Sequence, residues 1–167
     1  MLQALSRAPK EMKGVDSVKL TFDQREKSRL RVTTLGGIEI GVQLKVGTLL
    51  CHGDKLLLND GSVIEVHAAD EALYEVRADS LPALARIAYH IGNRHVPLQV
   101  NDDHLLMLPD HVLKAMVQGL GARVTAVTRA FQPESGAYGH SHVHHSHDDQ
   151  GHGGRIHDSL APRSQDR

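Results

Sequence analysis

Thirteen histidines stand in 167 residues, and six of them crowd into one stretch near the end of the chain. From His140 to His152 the order is His-Ser-His-Val-His-His-Ser-His-Asp-Asp-Gln-Gly-His, which places imidazoles at His140, His142, His144, His145, His147 and His152. Imidazole binds borderline transition metals as the neutral base, and roughly three-quarters of unperturbed rings are neutral at pH 7. Closely spaced rings can share one cation because little entropy is lost in closing so short a chelate. Such ligands suit nickel, zinc and copper, whereas magnesium and calcium want oxygen. A purification tag is normally an unbroken histidine run, and this one is interleaved with Ser, Val, Asp and Gly. The composition therefore predicts a native metal-binding tail.

Six histidines lie outside the tail: His52, His67, His90, His95, His104 and His111. His95 ends the run Gly92-Asn93-Arg94-His95 between a predicted helix and the next strand, where rigid elements on both sides would hold its ring outward. Position alone favours an ordinary surface histidine over a presented ligand. His111 falls in the first turn of a predicted helix, where the dipole disfavours a protonated ring and keeps a lone pair free for a secondary metal contact. His52 beside Cys51 could form a soft metal pair, or the cysteine could simply end a strand. His90 is expected to face solvent, and His67 and His104 to serve structure.

Catalytic constellations are missing. There is no His-Glu-x-x-His, Gly-x-Ser-x-Gly, phosphate loop or Cys-x-x-Cys. Nothing pairs the lone Cys51 with a base. The chain is not expected to be an enzyme; the chemistry left to it is binding a metal and releasing it.

Lys plus Arg is 19 and Asp plus Glu is 20, which argues against nucleic-acid and membrane partners. Aromatics number five, two Phe and three Tyr, which is poor for base stacking. One cysteine excludes an intrachain disulfide and suits a reducing compartment. No apolar stretch reaches spanning or signal-peptide length, so a cytoplasmic location is expected.

The elements that must position these residues can be read from periodicity. Residues 28–35 alternate, Gly36-Gly37 turns the chain, and residues 38–42 alternate again. Thr48 to Cys51 and Lys55 to Leu58 are short apolar runs, Asp60-Gly61 signals a hairpin, and residues 62–68 alternate. No helical stripe appears before residue 80, so residues 1–70 are expected to form an all-β module. Ala72 to Ala78 reads as a strand. Ser80 caps a helix carrying Leu81, Leu84, Ile87, Ala88 and Ile91, with Gly92 as its stop. Val96 to Val100 and His104 to Leu108 read as strands around an Asn101-Asp102-Asp103 turn. Pro109-Asp110 opens a helix with Val112, Leu113, Met116, Val117 and Leu120 on one face, and Arg123 to Ala130 closes as a strand. The order β-α-β-β-α-β predicts a ferredoxin-like domain over residues 71–132. The fold class is thus α+β. Residues 133–167 have few large aliphatic side chains and are expected to be a disordered, metal-binding tail.

Several runs resemble UreE, the urease accessory family that chaperones nickel. They are Tyr89-His90-Ile91-Gly92-Asn93-Arg94-His95-Val96-Pro97-Leu98-Gln99, Ser28-Arg29-Leu30-Arg31-Val32, Ala68-Ala69-Asp70-Glu71, Asp110-His111-Val112-Leu113 and Phe131-Gln132-Pro133-Glu134-Ser135-Gly136-Ala137-Tyr138. The resemblance covers about residues 15–139 and continues into the His-rich end. It implies a homodimer joined through the ferredoxin-like domain, with His95 of each protomer at the seam offering a pair of imidazoles to one Ni(II). It implies that the β module, which in the family resembles the peptide-binding domain of a heat-shock co-chaperone, contacts protein partners. Those would be the GTPase UreG and the apo-urease assembly complex, with GTP hydrolysis supplied by UreG. Zn(II) or Cu(II) would compete for the same ligands. Some relatives carry a histidine two residues before the position of His111, and here that residue is Pro109. The rival readings are a general nickel, zinc or copper buffer and an RNA-binding module of the same element order.

Overall fold

Alternation of buried and exposed side chains builds the first sheet of this computed structural model, which describes residues 2–135. Its strands are β1 (Leu2–Ala8), β2 (Asp16–Leu20), β3 (Arg29–Thr33), β4 (Glu39–Gln43), β5 (Lys55–Leu58) and β6 (Val63–Ala68), in the order β2-β6-β5-β1-β4-β3. β1 runs parallel to β4 and β2 parallel to β6, while the other neighbours are antiparallel. Val18, Leu20, Ile40, Val42, Leu56, Ile64 and Val66 fill the core between them. The sheet nearly closes on itself. The Leu35 amide donates to the Ser17 carbonyl at 2.8 Å, and the Gly36 amide donates to the Asp16 carboxylate at 3.1 and 3.2 Å. A Cβ on Gly36 would lie 2.5 Å from Asp16 Oδ2, so a larger residue there would push the carboxylate aside. The Thr34 hydroxyl, aided by the Ser17 amide, holds the Asp16 carboxyl below the ordinary range.

The periodicity predicts an all-β first half, and the structure departs from that. A short helix, α1 (Phe22–Glu26), interrupts it. Thr21 and Gln24 cap each other reciprocally, the Thr21 hydroxyl accepting from the Gln24 amide and the Gln24 side chain from the Thr21 amide. One turn is too short to show a stripe. It aims Arg25 inward, where the side chain is 2 % exposed. The guanidinium donates to the carbonyls of Leu50, at 3.2 Å, and Phe131. Loss of water pulls its pKa below the ordinary value, against the opposing charge of Glu71. The apolar run at Thr48 to Cys51 forms no strand. Instead Leu50 docks on α1, its amide donating to the Arg25 carbonyl at 3.0 Å.

The second sheet follows the predicted order: β7 (Asp70–Arg77), α2 (Leu81–Gly92), β8 (Leu98–Val100), β9 (Leu105–Met107), α3 (His111–Gly119) and β10 (Arg123–Ala130). The spatial order is β10-β7-β9-β8, every pair antiparallel. Ser80 caps α2 by accepting from the Ala83 amide at 3.3 Å. Asp110 caps α3 by accepting from the amides of Val112 and Leu113, both at 2.8 Å. Leu84, Ile87 and Ile91 of α2 and Leu113 and Val117 of α3 pack with Val76, Leu98, Leu105 and Met107 of the sheet. A separate apolar cluster joins Leu73 and Leu106 of this sheet to Phe22 of α1 and to Phe131. The two phenyl rings meet edge to face, centroids 5.5 Å apart. The protein is therefore a mixed α+β structure, mostly strand. Among the described residues no helix is long and apolar enough to cross a membrane.

Candidate metal centre

The corner carrying His95 is built by the end of α2. The Asn93 amide donates to the Tyr89 carbonyl at 3.0 Å, the Arg94 amide to Ile91 at 3.0 Å and the His95 amide to Gly92 at 2.9 Å. The Arg94 guanidinium folds back onto the His90 carbonyl at 3.0 Å and closes the helix end. The helix ends at Gly92, as the sequence suggests, but Gly92 is its last helical residue and not a left-handed cap, and a Cβ there would meet open space. The left-handed residue is His95 itself, at φ 56°, the one non-glycine with positive φ among the described residues. That backbone is costly for a branched β-carbon environment and is taken up more readily by His, Asn and Asp than by most residues. His95 is exposed, and its ring makes no hydrogen bond or ion pair among the described residues.

An apolar stripe leads to this corner. Leu81, Ala85 and Tyr89 follow one another at helical spacing on α2, and all three are exposed. Leu81 is 68 % and Tyr89 65 % exposed, and Val112 on α3 is 61 % exposed. Sequence periodicity assigns Leu81 and Val112 to the packed faces, and both lie outside them. The i, i+4, i+8 spacing of Leu81, Ala85 and Tyr89 was the signal available for this second stripe. His90, expected in solvent, is half-buried with its ring edge-on to Tyr89.

His111 opens α3 and is exposed, with no second ligand gathered beside it. Among the described residues no group of three or more His, Cys, Asp or Glu is placed to hold a metal ion. His52 Nδ1 accepts from the Ala68 amide at 3.3 Å, so the neutral ring carries its proton on Nε2. That tautomer leaves His52 no outward lone pair to share with Cys51. Its ring lies edge-on to His67, 5.1 Å between centroids. His104 belongs to a polar network away from the helices. Glu75, 8 % exposed, meets Arg77 Nε at 2.6 Å and Arg129 Nη2 at 3.1 Å. His104 Nδ1 donates to Asp103 Oδ1 at 2.6 Å, and Arg77 Nη1 reaches Asp103 Oδ2 at 2.5 Å. The Arg77 hydrogen bond holds Glu75 below the usual carboxylate range. His104 first, then Arg77, pulls Asp103 down to about 2.

Beyond β10 the chain is pinned back toward the corner. Phe131 is fully buried. The Gln132 amide donates to Gln99 Oε1 at 2.8 Å, and the Glu134 amide to the Leu98 carbonyl at 2.8 Å. The histidines of the run, His140, His142, His144, His145, His147 and His152, lie outside the described residues.

Comparison with known proteins gives this arrangement a context. The model of the UreE urease accessory protein N-terminal domain matches residues 2–69, and that of the C-terminal domain matches residues 71–158. A urease accessory protein UreE of Chelativorans sp. (strain BNC1) is 45 % identical over 159 residues, covering 95 % of this chain and 98 % of the relative. That of Dechloromonas aromatica (strain RCB) is 51 % identical over 136 residues, 78 % of each chain. That of Teredinibacter turnerae is 46 % identical over 140 residues, 83 % of this chain and 91 % of the relative. These matches define an accessory protein with a role in urease maturation. The chain belongs to the UreE family of urease accessory proteins.

Proposed function

We propose that this chain is a homodimeric nickel metallochaperone of the cytoplasm that captures Ni(II) and delivers it to apo-urease. The observation that carries the reading is His95: an exposed, unpartnered imidazole on a left-handed corner at the end of a helix whose Leu81–Ala85–Tyr89 stripe is uncovered. A second copy laid against that stripe brings two His95 rings toward one ion. In this reading residues 71–132 form a ferredoxin-like domain for metal binding and dimerisation, residues 1–70 meet protein partners, and residues 133–167 collect metal.

Nickel stands below copper in intrinsic affinity for imidazole, so selectivity must come from geometry and supply. Two imidazoles leave coordination positions open, and a tail histidine or a partner's ligand can enter them. Chain length allows this. From Glu134 to His140 is six residues, a reach of up to about 20 Å, and Leu98 is at most about 11 Å along the chain from His95. The tail, with His140, His142, His144, His145, His147 and His152, raises the local nickel concentration at the seam. His111 is at most a secondary ligand. Both binding modes weaken below about pH 6, because a protonated ring cannot ligate. Nickel then passes to the complex of urease apoprotein with its accessory proteins, with GTP hydrolysed by UreG.

The test is His95→Ala in cells at limiting nickel, alongside transfer of Ni(II) from the purified protein to apo-urease with UreG. Loss of urease activation with the dimer intact is expected. Normal activation by the variant removes the presentation step and leaves a general nickel, zinc and copper buffer as the better account.

A further inference from the structure

The outer strand β3 has an unused side. The Leu44 amide donates to the Ser28 carbonyl and the Thr34 amide to the Ile38 carbonyl, in a register that pairs Leu30 with Val42 and Val32 with Ile40. Antiparallel pairs alternate between bonded and non-bonded. Leu30 and Val32 therefore spend their backbone groups on β4, and the N–H and C=O groups of Arg29, Arg31 and Thr33 point off the edge of the sheet. The turn after β3 reaches β2 through Thr34, Leu35 and Gly36. Beside this edge lies a hollow of about 200 Å³ on the outer face, rimmed by Gln3, Arg29, Arg31 and Gln43. Its floor is Gly41, which pairs with Gln3 on one side and Arg31 on the other and puts no side chain between them. Arg31 shares Glu39 at 3.3 Å, and Arg29 has no ion pair among the described residues.

We infer that the open edge of β3 is a docking strip for an extended acidic segment of a partner protein, which adds a strand to the sheet and lays alternate carboxylates against Arg29 and Arg31. Main-chain bonds at an edge supply binding, and side chains at alternate positions supply selection. Carboxylates two residues apart on the added strand stand on one face, each within about 5.5 Å of the residue opposite. Two other occupants fail on charge. A second copy paired antiparallel along β3 sets arginine against arginine, which is destabilising. The chain's own tail offers Asp148 and Asp149, and adjacent residues of a strand point to opposite faces. The inference rests on the reading that residues 1–70 meet protein partners and names the chemistry of the segment they meet; no metal ligand takes part.

The probe is a synthetic peptide, acetyl-Ser-Glu-Thr-Glu-Thr-Glu-Ser-Gly-amide, titrated into the full-length protein with EDTA present to remove metal from the tail. Peptides with Gln or Lys in place of each Glu are the controls. Backbone amide shifts should concentrate at Arg29, Arg31 and Thr33. Two exposed guanidinium–carboxylate contacts give the acidic peptide about a tenfold preference over the Gln peptide. The double variant R29E/R31E should reverse the order of the Glu and Lys peptides. Thr33→Pro removes one outward donor while leaving the ladder to β4 and the charges intact, and should weaken binding of the acidic peptide. Equal binding of the three peptides, shifts away from β3, or unchanged binding by both variants overturns the proposal. Circular dichroism of each variant, matched to the parent, guards against unfolding as the cause.

Discussion

The amide of Glu134 donates to the carbonyl of Leu98 at 2.8 Å, so the polypeptide heading for His140 leaves the fold beside the strand that issues from His95. On the proposed nickel-chaperone reading, collection and presentation of metal then share one neighbourhood without sharing elements. Deleting residues 140–167 should lower the number of nickel ions bound per dimer, read by isothermal titration with molecular mass. The mass should still be that of a dimer, and the melting temperature should hold, because the Glu134 bond and Phe131 remain. Unchanged stoichiometry would rule the tail out as a nickel reservoir.

His95 at φ 56° sets stability against function at a single position. A non-glycine residue in the left-handed region costs roughly 1 kcal/mol relative to glycine. His95→Gly should therefore be more stable than His95→Ala by about that amount in urea unfolding. On the proposed reading, both should also lose the nickel ion shared between two His95 rings. Identical unfolding midpoints for the two variants would mean that the corner carries no backbone strain.

The network around Glu75 makes acid stability predictable in sign. The hydrogen bonds from His104 and then Arg77 hold Asp103 down to about 2, and the Arg77 hydrogen bond lowers Glu75 as well. Both carboxyls are depressed, so their stabilisation is complete above the unfolded values near 4 and fades as pH falls through the folded ones. Asp103→Asn should flatten stability against pH between about 4 and 2. A variant profile superimposable on the parent's would break the link between this network and acid unfolding.

Phe131 is fully buried against Phe22. Phe131→Ala should cost about 3–5 kcal/mol in chemical denaturation, with Phe131→Leu in between. Hydrogen exchange at the Glu134 amide should speed up more than at Val76 in β7, since the exit segment is what the ring fastens. Uniform acceleration across the second sheet would assign the loss to global destabilisation alone.

The second half of the fold was legible because its signals are local. Ser80 and Asp110 cap where the capping chemistry says they should, and the strand expected at Arg123 to Ala130 appears residue for residue. The first half was only partly so. β1 and β2 pair in parallel with strands far along the chain, and β1 buries only Ala4 and Ala8, too weak a pattern to mark a strand. The Thr21–Gln24 capping box was readable for α1 but had no apolar stripe behind it. At the site, the motif picked out His95 and the helix end at Gly92 but not the left-handed residue beyond it, since no periodicity reveals that a histidine takes the conformation usually left to glycine. Leu81 and Val112 fitted the helical period and face outward, because period tells which residues share a face and not how wide the packed part of that face is.

The guanidinium of Arg25 has a wider consequence. It sits dry, bonded to carbonyls 25 and 106 residues away in sequence, and a charge stripped of water with any of these contacts missing is strongly disfavoured. States in which one sheet has melted and the other survives would strand that cation. Residues 2–135 should accordingly lose their structure as one cooperative unit, with a single calorimetric peak spanning both sheets.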